Sequence, residues 1–136
     1  MKKIDNGKLL LALILILALA IRLYGIDFEN FSSDEGLTLY HGQQSLKHNI
    51  GWSLSDDYLP FYHVLLSLWV SLLGISSYSV RLMSVIFGVL SVYIIYLIGF
   101  QLFDRKIGYY SAIILALSSF NITYSQEARP YSLYLL

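Results

Sequence analysis

Cysteine is absent from the chain, which removes disulfide frameworks and thiolate metal sites from consideration. Charge is scarce: Asp, Glu, Lys and Arg make up 13% of the 136 residues, against about 25% in an ordinary soluble domain. Nine basic residues balance nine acidic ones, and a chain with no basic surplus is not built for nucleic acid. No internal repeat or low-complexity tract stands out. What fills the sequence instead is hydrocarbon, with 57% hydrophobic residues and a mean hydropathy of +0.62. That composition belongs to an integral membrane protein.

The apolar residues are grouped. Lys2, Lys3 and Lys8 stand against Asp5 alone ahead of the first run, a positive flank that puts the N-terminus in the cytoplasm. Residues 9–26 are apolar apart from Arg22, and about 18 residues rising ~1.5 Å each nearly cross a ~30 Å hydrocarbon core. A signal peptide is a rival reading, because Ala18-Leu19-Ala20 fits a small-x-small cleavage site, although the run continues to Ile26. Arg22 lies near the outer end, where its plainest role is to anchor at the headgroups. Residues 27–80 form a loop. Within it, 35–49 reads as a helix with Leu37, Tyr40, Leu46 and, less regularly, His41 toward the membrane, ended by Gly51. His41, His48 and His63 share no metal-ligand spacing and read as surface or interfacial residues.

Asp57 precedes Pro60-Phe61-Tyr62, a good helix start with proline in its first turn. The segment 60–74 is about 15 residues, or ~22 Å, too short to span. Ser67 and Ser71 give it a weakly polar stripe, so it reads as a helix lying in the interface. Residues 82–103 and 107–124 are further spans, joined at Asp104-Arg105-Lys106. Charge placement checks this arrangement. Were 60–74 a fourth span, Arg105 and Lys106 would lie outside, against the positive-inside rule. With 60–74 on the surface, the pair is cytoplasmic, and Glu127 and Arg129 emerge on the side of Asp34 and Glu35. The expected fold is therefore all-α and integral to the membrane, with spans at 9–26, 82–103 and 107–124. Residues 131–136 are an apolar run that has barely begun, and the expectation is an N-terminal portion of a longer protein.

One polar stretch, Phe31-Ser32-Ser33-Asp34-Glu35-Gly36, follows the first run. Its structural reading is a capping box, with Ser32 as N-cap and Glu35 returning a hydrogen bond; glutamine would serve that box equally well. Its chemical reading makes Asp34 a base acting on a substrate at the membrane surface. The two are compatible, since a box would fix the backbone that carries the base. The three-span topology gathers Arg22, Asp34, Glu35, Arg81, Glu127 and Arg129 on one side. Singly these are ordinary interfacial anchors and ion-pair partners. As a set they suit transfer of a group away from phosphate. Arginines hold the phosphate, a carboxylate takes a proton from an attacking hydroxyl, and the arginines neutralise charge growing on the departing phosphate.

The order Arg22, Ser33-Asp34-Glu35-Gly36, Leu59-Pro60-Phe61-Tyr62-His63, Leu68-Trp69, Gly74, Arg81-Leu82, Gly88 and Tyr124-Ser125-Gln126-Glu127-Ala128-Arg129-Pro130-Tyr131 resembles the N-terminal part of the GT-C membrane glycosyltransferases. The similarity is to the branch of protein O-mannosyltransferases and the lipid A aminoarabinose transferase, and it covers nearly all of the chain from Leu9. It implies an inverting enzyme that takes sugar from a polyprenyl-phosphate donor at the outer face. The acceptor would be a hydroxyl or phosphate on a protein or lipid. On this resemblance Asp34 is the catalytic base and Glu127 the second acidic position; Arg22, Glu35, Arg81, Arg129 and Tyr131 contact substrate. The sequence departs from the family at Tyr58-Leu59-Pro60-Phe61-Tyr62, where a His/Pro-Pro pair is usual. No cofactor is implied. A divalent metal is left open, although adjacent Asp34 and Glu35 diverge by about 100° on a helix and cannot easily share one ion. The reading from another class is a small non-enzymatic membrane assembly or lipid-binding protein.

The topology can be tested directly in a chain that lacks cysteine. Ser33→Cys is expected to react with an impermeant thiol reagent on intact cells, and Lys106→Cys only after permeabilisation. Labelling of Lys106→Cys in intact cells would overturn the three-span arrangement.

Overall fold

The computed structural model describes residues 6–28, 30–44, 46–55 and 60–136. Lys2, Lys3 and Asp5 of the basic flank, and Asp57, Tyr58 and Leu59 ahead of Pro60, lie outside the described residues. Among those described there are eight helices and no strand: α1 (Asn6–Leu23), α2 (Ser33–Gly42), α3 (Leu46–Ser55), α4 (Pro60–Leu73), α5 (Ser77–Leu102), α6 (Arg105–Ala116), α7 (Ser119–Ser125) and α8 (Tyr131–Tyr134). The protein is all-α.

Two of the helices, α1 and α5, are long and apolar enough to cross a membrane. Leu9, Leu10, Leu13, Ile16 and Leu17 of α1 are exposed, as suits a face turned to lipid. The opposite face packs through Ile14 and Ala18 against Val92 and Tyr96 of α5 and Ala112 and Ala116 of α6. Small residues let α5 and α6 lie close. A Cβ added at Gly99 would come within 3.0 Å of the Gly108 Cα. Asp104 turns the chain between them, its Oδ1 accepting from the Ile107 amide at 2.8 Å, an N-cap.

The expected span at 107–124 is not one helix. α6 ends at Ala116 after 12 residues, about 18 Å, and α7 restarts at Ser119 behind the N-cap Ser118. The reason lies in α1. The Arg22 guanidinium donates to the carbonyls of Ala116 (3.2 Å) and Leu115 (3.4 Å) and to Asn121 Oδ1 (2.5 Å). A cation thus satisfies the last carbonyls of α6 and the negative end of its dipole. Arg22 is fully buried. The headgroup anchor expected from its position is instead the pin of a helix break.

The helix expected at 35–49 is likewise two. α2 closes at Gly42, where any Cβ would stand 2.8 Å from Leu66 Cδ2 of α4, and α3 runs past Gly51 to Ser55. Ser67 is a cross-link rather than part of a polar stripe: its hydroxyl donates to the Gly42 carbonyl at 2.7 Å and accepts from Asn49 Nδ2 at 2.9 Å. Leu37 and Tyr40 are exposed, while His41 is buried. A second core, Leu39, Tyr62, Leu66, Val80, Met83 and Ala128, fastens α2 and α4 to the first turns of α5 and to the turn before α8. Gly25 and Gly74, both at φ +76, end α1 and α4 in the left-handed conformation glycine tolerates.

α5 meets α7 at Gly88. A Cβ there would overlap the Ser125 hydroxyl and stand 2.8 Å from Ser125 Cβ and 3.0 Å from Arg22 Nε. Gly88→Ala is expected to cost about 1–3 kcal/mol as overpacking, read as a lower thermal midpoint in detergent, with partial recovery when Ser125→Gly is added.

Candidate active site

The N-terminus of α2 carries the capping box. Ser32 Oγ accepts from the Glu35 amide at 3.2 Å, and Glu35 Oε2 accepts from the Ser32 amide at 3.0 Å. Glu35 does more than close the box. Arg81, one turn into α5, grips both of its oxygens: Nε donates to Oε1 and Nη2 to Oε2, each at 2.8 Å. The Ala128 amide donates to Oε1 at 2.9 Å. Side-chain exposures of 3% for Glu35 and 6% for Arg81 make this a buried pair, of the kind whose breaking costs ~3–5 kcal/mol. Arg81 also donates to the carbonyls of Ile26 (2.8 Å) and Asn30 (3.2 Å), and its guanidinium lies 5.5 Å from the Phe31 ring centre. Burial works to raise the Glu35 carboxyl, but Arg81 and the two amides outweigh it and hold the group at about 2.

Asp34 faces a different way. Its carboxylate is paired with Arg129 Nη1, and its side chain is 67% exposed against 19% for the arginine. Arg129 lies over the Tyr131 ring at 4.9 Å, within cation–π range, and its Nε is buried without a hydrogen-bond partner. Burial of Arg129 pulls its pKa down, yet Asp34, Tyr131 and Glu127 together raise it.

Beside the Glu35–Arg81 pair lies a cavity of about 340 Å³, walled by Tyr24, Ile26, Asn30, Glu35, Arg81 and Glu127 among others. That is the size of a small-molecule site, for which ~300–1,000 Å³ is usual. Asp34 and Arg129 are not in its wall but sit on the same two segments, one residue from Glu35 and two from Glu127. The Glu127 carboxyl is half-buried, and burial raises its pKa; the charges of Glu35 and Asp34 add to the rise, against the pull of Arg129 and Arg81. A carboxyl so placed is suited to hold or trade a proton.

The structure thus brings Asp34, Glu35, Arg81, Glu127, Arg129 and Tyr131 together. Arg22 lies one layer in, and its link to the cavity is Gln126. The Gln126 Nε2 donates to the carbonyls of Arg22 (3.2 Å) and Tyr24 (2.8 Å). The arginines divide their duties: Arg22 and Arg81 are engaged with carbonyls and carboxylate inside the protein, which leaves Arg129 as the one suited to meet a ligand. The roles of Gln126 and the Ala128 amide were not legible in sequence, because their bonds reach across 104 and 93 residues of chain.

The histidines depart from expectation. His41 and His63 are buried, and the His41 ring lies 6.0 Å from that of His48 and 6.1 Å from that of His63. Helices α2, α3 and α4 converge on this point, which spacing along the chain cannot reveal. Burial, then the neighbouring His41, lowers the His63 pKa. Among the described residues no group of three or more His, Cys, Asp or Glu is arranged to hold a metal ion.

The profile of the dolichyl-phosphate-mannose-protein mannosyltransferases matches residues 57–136. The chain belongs to that family. No curated protein and no solved structure matches it. Membership makes it a GT-C membrane protein of the mannosyltransferase-type glycosyltransferases. Arg81, Glu127, Arg129 and Tyr131 fall inside the matched segment of this mannosyltransferase-family chain; Arg22, Asp34 and Glu35 precede it.

Glu35 supplies the prediction here. Glutamine could cap α2 but not pair with Arg81, so Glu35→Gln is expected to cost about 3 kcal/mol or more. The pH dependence follows from a carboxyl depressed from an ordinary 4.5 to about 2. The unfolded chain binds more protons between those values, so the stabilisation is complete above 4.5 and is lost as pH falls toward 2. Melting curves across that window should slope downward with acid for wild type and flatten for Glu35→Gln.

Proposed function

We propose that this protein transfers a sugar from a polyprenyl-phosphate donor to a protein or lipid acceptor at the outer face of the membrane, with inversion at the sugar carbon. The observation that carries the reading is the pairing of an exposed carboxylate, Asp34, with a largely covered arginine, Arg129, near a cavity walled by a second acid, Glu127. In this reading the acceptor oxygen attacks the anomeric carbon and its proton passes to Asp34. The bond from that carbon to the phosphate breaks, and the phosphate leaves with the electron pair. Arg129 meets the charge that grows on it. Glu127, whose carboxyl is raised by burial, hydrogen-bonds the sugar from the cavity wall. Glu35 and Arg81 hold the frame and touch substrate only from the cavity wall. Arg22 and Tyr131 act through their neighbours, the first on the α6–α7 break and the second under Arg129.

Spans at 9–26, 82–103 and 107–124, with 60–74 lying in the interface and the N-terminus in the cytoplasm, belong to the same proposal. The charge placement of Arg105 and Lys106 supports it, as does the 14-residue length of α4. The broken α6–α7 segment fits a path through the membrane because Arg22 and Ser118 satisfy the backbone groups at the break.

Asp34→Asn keeps the shape and removes the base. In the full protein with purified lipid-linked sugar, turnover should fall about 10²–10⁴-fold while the donor still binds. Near-full turnover of Asp34→Asn would end the assignment of Asp34 as base.

A further inference from the structure

We infer that the Asp34–Arg129 pair is a latch opened by the donor's phosphate: Arg129 engages the carboxylate until a phosphate diester takes the arginine and frees Asp34 to receive the acceptor's proton. This rests on the donor reading above and adds an order of events to it, donor before base.

Two ion pairs that begin one residue apart in α2 are built in opposite ways. Glu35 and Arg81 share two hydrogen bonds and are nearly inaccessible. Asp34 and Arg129 share one, with the carboxylate two-thirds exposed. The first is a fixture. The second is screened by solvent and adds little net stability.

Within the loose pair the arginine is the fixed half. Its guanidinium rests on the Tyr131 ring, and Pro130 between them is buried. Its hydrogen bonding is also incomplete, since Nε is buried with no acceptor. A phosphate can present two oxygens to one guanidinium. Asp34 engages Nη1 alone, so a phosphate oriented on both terminal nitrogens replaces one hydrogen bond by two, and the exchange asks only that one exposed side chain rotate. The backbone of α2 stays in place because Glu35 continues to hold Arg81, Ser32 and Ala128. The carboxylate released in this way stands one residue from Glu35 in the cavity wall, and it is freed when a leaving group is present to be displaced.

The test uses the full protein in zwitterionic vesicles carrying a polyprenyl phosphate, with phosphatidylglycerol vesicles and inorganic phosphate as comparators. If the latch is real, Asp34→Asn and Asp34→Ala bind polyprenyl phosphate more tightly than wild type by about two- to fivefold, the range an exposed ion pair allows. Arg129→Gln weakens binding, and adding Asp34→Ala to it then gives no tightening. Unchanged or weaker binding by both Asp34 variants, with wild type binding normally, overturns the latch and leaves the donor reading standing. Equal tightening toward phosphatidylglycerol overturns it also, as a general headgroup effect. Wild-type protein that does not prefer polyprenyl phosphate to either comparator overturns the donor reading itself.

Discussion

The carboxylate of Glu35 is the constraint on which the site depends. Its two oxygens accept from a helix N-terminus, from the first turns of α5 and from the turn that leads to α8. These segments are distant in sequence and have little else to align them. Such a knot is worth most where apolar contact alone is unselective. Around it the small core of Leu39, Tyr62, Leu66, Val80, Met83 and Ala128 supplies cohesion without specifying register. Charge and direction do that: the fork of Arg81 fits a carboxylate in one orientation, and this orientation leaves Asp34, about 100° around the helix, facing outward.

A second buried arginine solves a different problem. Arg22 has no carboxylate among its described partners; it is neutralised by carbonyl oxygens and the amide oxygen of Asn121. The free C-terminal carbonyls of α6 would be unsatisfied in hydrocarbon, and an isolated arginine would be equally unwelcome. Each is the other's remedy. The small residues nearby, Gly88 and Ser125, are what leave space for the guanidinium.

What could be read from the sequence was what lies within one helical turn. The Ser32/Glu35 box needs four consecutive residues and is present as expected. The helix start at Pro60 is an equally local signal, and the all-α membrane character follows from composition. The candidate residues could be named because the family order of Asp34-Glu35 and Gln126-Glu127-Ala128-Arg129 is short and ordered. Their division of labour could not. That Arg81 is spent on Glu35 while Arg129 is loosely held depends on contacts 46 and 95 residues apart. The stretch 107–124 carries no charge and so read as one span, although Ser118-Ser119 interrupts its apolar run; the arginine that holds the break is in another helix. The histidine cluster was missed for the same reason: His41, His48 and His63 meet only because α2, α3 and α4 fold onto one another.

Gln126 has a consequence for how the molecule sits in bilayers of different thickness. A helix longer than the hydrocarbon core adapts by tilting, and a site assembled from several helix ends would ordinarily be pulled apart by such tilts. Here a single amide group spans from the 126–129 turn to two exit carbonyls of α1. The end of α1 and the acidic turn therefore move as one body. Tilt of α1 in a membrane would then be taken up at its far end, where Leu9, Leu10 and Leu13 are exposed, while the bond from the Ala128 amide to Glu35 separately ties the acidic turn to α2.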